Sequence, residues 1–280
     1  MPRFVWRVKD RTLEFGRPLV MGIVNVTPDS FSDGGQFLDH RQAIDHALRL
    51  AREGADILDI GGESTRPGSQ PVPLEEELRR VLPVVQALVK QTAAIISIDT
   101  SKAEVARQCL EGGAAIINDV TALRGDPAMP EVPRTHSAGV ILMHMQGTPA
   151  TMQLDPKYDD VVQEVHDFLG ERVGGLEQAG LPRERLAIDP GIGFGKRHAH
   201  NLTLLAGLDR LLDLGRPICL GVSRKGFIGK IIGKSVADSD LGSVAVACYA
   251  MTRGAAQILR VHDVAATVDA VKIIEAIADR

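Results

Sequence analysis

The sequence predicts a (β/α)8 TIM barrel preceded by a short N-terminal hairpin, and three observations predict it. Eight short apolar runs alternate with longer amphipathic segments, the pattern of repeated βα units around a parallel sheet. The C-terminal ends of those runs are polar, and that is where barrel chemistry gathers. The chain has 280 residues, 44% hydrophobic and 24% charged, without a Pro/Ser/Gly linker, so residues 1–280 are expected to form one domain with a large core.

The elements follow in order. Residues 3–16 alternate polar and apolar and read as a hairpin packed against the bottom of the barrel. The eight expected strands cover residues 19–25, 56–62, 94–100, 115–120, 139–144, 186–190, 218–223 and 257–262. Between them, 41–53, 74–90 and 161–179 carry apolar residues at spacings of three and four, as amphipathic helices do. Gly54, Gly112, Gly139 and Gly180 stand where helix-terminating glycines belong. Residues 130–142 contain prolines and a histidine that put the length of the fourth helix in doubt. Asp263 precedes the last apolar-periodic segment as an N-cap.

A net charge of -4, with Lys and Arg scattered, excludes the basic stripe of a nucleic-acid binder. No stretch reaches the roughly 18 apolar residues of a membrane span, and the N-terminal segment lacks a signal-peptide core, which leads to a cytoplasmic expectation. Cys109, Cys219 and Cys248, odd in number and far apart, read as buried reduced thiols.

Asn25, Glu63 to Arg66, Asp99, Asn118, Asp119, His144, Asp189, Ser223 to Lys225, Arg260 and His262 would ring one mouth. Asp99, Asp189 and Arg260 interrupt apolar runs, so leaving water requires partners or a ligand. Asp99, Asn118, Asp189 and Lys225 together suit a flat heterocycle with adjacent donors and acceptors. Arg260, His262 and the start of the last helix suit phosphate or pyrophosphate, lying on one side of a strand two residues apart. The Asn25 carboxamide is suited to Mg²⁺ sharing that anion. The run DPGIGFGK, 189–196, is one residue short of a phosphate loop and lacks its Ser/Thr, and it has no dinucleotide fingerprint. Its glycines would let a loop lie close to a ring. His144 reads as a packed core histidine.

The segments MGIVNVTPDSFSDGG, GGESTRPGS, SIDT, INDV, MHMQGTP, DPGIGFGK, GVSRK and RVHDV, in that order over nearly the whole chain, resemble the signatures of the dihydropteroate synthase family. The resemblance implies condensation of 6-hydroxymethyl-7,8-dihydropterin pyrophosphate with 4-aminobenzoate, Mg²⁺ as cofactor, and a homodimer through late barrel helices. By motif it implies that Asp99, Asn118, Met143, Asp189, Phe194, Gly221 and Lys225 hold the pterin. Asn25, Arg260 and His262 would serve pyrophosphate, with Asn25 also on the metal, and Asp99, Lys225, Arg260 and His262 would be catalytic. Thr65, Arg66, Pro67 and Ser223 would shape the aminobenzoate pocket, with Phe31 and Asp33 closing over it; residues 27–36 and the second loop are expected to order with ligand. The alternatives are a corrinoid-dependent methyltransferase domain and a catalytically silent pterin-binding subunit, neither of which gives RVHDV a use.

Overall fold

The computed structural model describes residues 4–27, 36–65 and 68–278, with side chains in the first helix from His40 onward. A two-stranded antiparallel hairpin, β1 (Val5–Val8) and β2 (Arg11–Glu14), comes first. Eight parallel strands follow: β3 (Leu19–Asn25), β4 (Ile57–Gly61), β5 (Ile95–Asp99), β6 (Ile116–Asp119), β7 (Gly139–Met143), β8 (Leu186–Asp189), β9 (Cys219–Leu220) and β10 (Ile258–Val261). Their order is β8-β7-β6-β5-β4-β3-β10-β9, and a single parallel bridge between Ile188 and Ile218 joins the two ends. This is the expected barrel with its hairpin.

The helices outside the sheet are α1 (Gln36–Arg52), α2 (Leu74–Leu88), α3 (Ala103–Glu111), α4 (Glu131–His136), α5 (Val161–Gln178), α6 (His198–Ala206), α7 (Gly226–Ile232), α8 (Asp240–Thr252) and α9 (Val264–Ala278). Gly54 and Gly180 terminate α1 and α5 with positive φ, as predicted. Two other glycines behave differently. Gly112 stays right-handed and Gly113 takes the left-handed turn. After α4 that turn falls to Ser137, while Gly139 already belongs to β7. A Cβ on Gly139 would stand 2.7 Å from Val8 Cγ2 and 3.3 Å from the Trp6 ring, so this glycine lets the hairpin approach the sheet. The prolines at 130 and 133 coincide with an α4 of only 6 residues. The Asp263 carboxylate accepts from Ala266 N at 3.0 Å, capping α9 as expected.

Period-two alternation sorts each barrel strand into an outer and an inner set. The outer residues, such as Val20, Leu58, Ile98 and Leu142, pack with the helices in one large core. The inner residues form layers. Met21, Ile57, Ile95, Ile116, Ile141, Ala187, Cys219 and Ile258, one from each strand, close around Phe4, Trp6, Val8 and Phe15. The hairpin therefore plugs the bottom of the barrel, with Trp6 Nε1 donating to Arg185 O at 2.9 Å. Two residues further along the same strands stand Ile23, Asp59, Ser97, Asn118, Met143, Asp189, Gly221 and Arg260. The barrel interior thus changes from apolar to polar in one layer, and the polar layer is the floor of the mouth. Cys109 and Cys219 are buried free thiols, while Cys248 is only half-buried.

Candidate active site

Arg260 enters the floor from β10 and is held between two acids. Its Nε contacts Asp59 Oδ2 and its Nη2 contacts Asp99 Oδ2, both at 2.6 Å. Burial works against the guanidinium charge, but Asp59 and Asp99 outweigh it and keep Arg260 ionised. One guanidinium cannot neutralise two carboxylates. Burial, with Asp59 nearby, pushes Asp99 up to about 7 despite Arg260. Asn118 Nδ2 donates to Asp59 Oδ2 at 2.9 Å, which orients the amide and leaves its oxygen as an acceptor.

Asp59 is the floor residue that sequence reasoning passed over. It is fully buried and its Oδ1 has no partner among the described residues. The signal was present: ILDIG breaks an apolar run with an acid, as IISID and LAID do. Asp119, by contrast, leaves the predicted ring. Its carboxylate accepts from Thr121 N, Thr121 Oγ1 and Leu123 N, holding the turn after β6.

Asp189 ends β8, and Gly191 N donates to its Oδ1 at 2.7 Å. Burial raises its pKa even so. Across the mouth Lys225, half-buried before α7, sits with Nζ 3.9 Å from the centroid of Phe194. Burial pulls Lys225 down to about 8. Val120, Met143, Met145 and Met152 form a small apolar cluster against which Phe194 packs, separate from the main core. A soft methionine and phenylalanine wall beside alternating acceptors and a cation matches a flat, polar-edged ring.

The predicted anion pair divides. Ser223 Oγ accepts from His262 N at 3.1 Å and lies 2.9 Å from His262 Nδ1. Burial, then Arg224 and Arg260, push His262 down to about 3, so it reaches the mouth as a neutral ring. Arg260 gives its Nε to Asp59 and its Nη2 to Asp99. Asn25 ends β3 opposite Gly61, half-buried, with no partner for its carboxamide among the described residues. Thr65 is half-buried beyond β4, and behind it Lys102 bridges Glu63 and the buried Glu77. The calls on Phe31, Asp33, Arg66 and Pro67, and on the ordering of residues 28–35, lie outside the described residues.

Two glycines of the loop after β8 lie against backbone. A Cβ on Gly191 would stand 1.8 Å from His144 O and one on Gly195 2.4 Å from Gln146 O, so the loop is seated on the segment following β7. Lys196 turns back beneath this loop, 2% exposed, which confirms that the run is not a phosphate loop. Two cavities, of about 220 and 380 Å³, lie beside the hairpin at the opposite end of the barrel.

The family model described as pterin binding enzyme matches residues 21–262. The chain belongs to the dihydropteroate synthase family. The Escherichia coli (strain K12) dihydropteroate synthase is 47% identical over 265 residues, covering 95% of this chain and 93% of that relative. Two structures of Xanthomonas albilineans dihydropteroate synthase align as well. The one with 4-aminobenzoic acid has TM-score 0.92 and 52% identity, covering 99% of each chain. The one in complex with 7,8-dihydropteroate has TM-score 0.88 and 49% identity, covering 98% of this chain and 99% of that one. The Yersinia pestis enzyme in a sulfonamide drug complex has TM-score 0.93 at 44% identity, covering 99% of this chain and 100% of that one. The dihydropteroate synthase family thus shares the barrel found here.

Proposed function

We propose that this chain condenses 6-hydroxymethyl-7,8-dihydropterin pyrophosphate with 4-aminobenzoate, giving 7,8-dihydropteroate and pyrophosphate in folate biosynthesis. The observation that carries this reading is the polar floor, in which Asp99, Asn118, Asp189 and Lys225 stand at neighbouring strand ends beside Met143 and Phe194. Asp99 and Asp189 accept pterin N–H groups, the Asn118 oxygen accepts, and Lys225 donates. Gly221 leaves the floor open: a Cβ there would come within 3.7 Å of Asp189 Oδ2.

The bond from the pterin methylene to the pyrophosphate oxygen breaks, a bond from that carbon to the arylamine nitrogen forms, and the amine proton leaves to water or pyrophosphate. The arylamine is neutral at pH 7, so no strong base is required. Asp99 and Asp189, by accepting N–H bonds, stabilise the electron-poor ring as the leaving group departs. His262 and Arg260 face the pyrophosphate, and Thr65 and Ser223, with Arg66, Pro67, Phe31 and Asp33, align the aminobenzoate.

Asn25 fits a Mg²⁺ ion, which takes few protein ligands and completes its shell with water and phosphate oxygens. Among the described residues no group of three or more His, Cys, Asp or Glu could hold a metal ion. When bound, it would neutralise charge on the leaving group. Free thiols support a reducing, cytoplasmic setting. Exposed Ile231, Leu241, Tyr249, Ile273 and Ile277 on α7 to α9 support a homodimer through these helices of a single-domain chain.

The test is turnover: purified protein should release pyrophosphate from the pterin pyrophosphate with Mg²⁺ present and form dihydropteroate once 4-aminobenzoate is added. No product under either condition sinks the reading. Methyl transfer from methyltetrahydrofolate to a corrinoid protein would favour the alternative enzyme.

A further inference from the structure

Lys196 is a buried amine, its pKa pulled down by burial to about 7, and no carboxylate among the described residues is in contact with it. Its Nζ lies 2.9 Å from His144 Nδ1, 3.0 Å from Gly191 O and 3.1 Å from Phe194 O. These three acceptors match the three donors of the protonated form, leaving none for a ligand. His144 is fixed in turn by rings, edge-on to Phe168 with centroids 4.9 Å apart and tilted against Tyr158 at 6.0 Å. Burial, with Lys196 and Arg124 nearby, keeps His144 neutral at about 2, so Nδ1 can accept.

The loop that Lys196 holds has one product that matters to the mouth, the placement of Phe194. Other bonds fix the rest: Gly193 N donates to Asn201 Oδ1 at 2.7 Å, Gln153 Nε2 to Gly193 O at 2.8 Å, and Tyr158 Oη to Gly195 O at 2.8 Å. Phe194 N donates to Gly191 O at 3.0 Å; among the described residues only Lys196 reaches the Phe194 carbonyl, and the Phe194 ring is the surface on which Lys225 Nζ rests. A Cβ on Gly193 would meet Lys225 Cδ at 2.9 Å, so loop and lysine stem are packed together. Burying a charge is a costly way to tie a loop when neutral donors would serve.

We propose that Lys196, locked by His144, is a positioning residue for the heterocycle site: it fixes Phe194, and through that ring Lys225, in the place where the pterin is met. This rests on the synthase reading above. Lys196 touches neither substrate, so its loss should appear in the KM for the pterin substrate and not in that for 4-aminobenzoate.

The experiment measures both KM values, kcat and Tm for the wild type, Lys196→Met, His144→Leu, His144→Asn, Phe194→Leu and the double variant Lys196→Met/Phe194→Leu. Lys196→Met and His144→Leu should each raise the pterin pyrophosphate KM about tenfold, the scale of one lost charge-assisted hydrogen bond. The aminobenzoate KM should stay within about twofold. His144→Asn, which keeps an acceptor near the Nδ1 position, should restore most of the loss. In the Phe194→Leu background Lys196→Met should add little, because both act through one ring. A lowered Tm with an unchanged pterin KM overturns the proposal, as does full additivity with Phe194→Leu. If Lys196→Met does not fold, the same pterin KM in His144→Leu and His144→Asn overturns it. An inactive wild type would defeat the synthase reading instead, so the two failures are distinct.

Discussion

At the residue scale the decisive fact is that two acids share one guanidinium. Asp99 Oδ2 is held by Arg260 while its other oxygen has no partner among the described residues, which makes it available to a ligand donor. Asp99→Asn should leave the fold intact and weaken pterin binding by about 1.5–3 kcal/mol, roughly ten- to a hundredfold, measured by calorimetry. Because its pKa stands raised to about 7, the folded acid takes up its proton early. Its contribution to stability is therefore present below the ordinary carboxylate range and is lost as pH rises through about 7. Pterin affinity has the opposite sign: it should fall as pH drops through that value in the wild type and be flat in Asp99→Asn. His262 gives a second pH-linked outcome. Its pKa of about 3 in the free protein rises when a pyrophosphate anion arrives, so pyrophosphate binding should take up a proton in the acid range above that value. Calorimetry in buffers of different ionisation enthalpy would detect it. His262→Ala should abolish that uptake and weaken pyrophosphate while leaving a phosphate-free pterin unaffected.

At the element scale, helix α5 carries two glycines with open space around them: a Cβ on Gly174 or Gly175 meets nothing within 4 Å. Gly174→Ala and Gly175→Ala should each stabilise the fold by about 0.5–1 kcal/mol without changing turnover, as a denaturant series would show. Elements of this kind were readable from the sequence where burial is uniform. The run 19–25 coincides with β3 because a parallel strand covered on both faces is apolar throughout. The expected strand 218–223 shrank to Cys219–Leu220, since its later residues turn to the mouth and to α7. Short α4, α6 and α7 gave too few turns for a clear period. In the site, Asp99, Asn118 and Asp189 were legible because each stands at the end of a strand or one residue before it. The roles of Asp59 and Lys196 were not, because Asp59 stands inside β4 rather than at its end and Lys196 folds back under its own loop, so only three-dimensional contact reveals their partners.

At the scale of the whole molecule the barrel is filled in two chemistries, an apolar layer below and a polar floor above. Trp6, fully buried, is the centre of the lower layer. Trp6→Ala should cost about 3–5 kcal/mol and lower Tm, while the KM for both substrates stays near wild type because the plug and the mouth are separated by the floor. The ring itself is not uniform. Between β8 and β9 it is held by one bridge, with Ile188 N also donating to Pro217 O at 2.9 Å. The barrel is therefore a split washer with its gap between the strand that carries Asp189 and the one that leads to Lys225. A heterocycle bound to both residues would stitch the gap shut. Amide protons of residues 186–189 and 218–220 should exchange with solvent sooner than those of β3 to β6, and slow markedly once pterin is bound. Ligand recognition and mechanical closure of the ring would then be one event, measured in minutes of deuterium uptake.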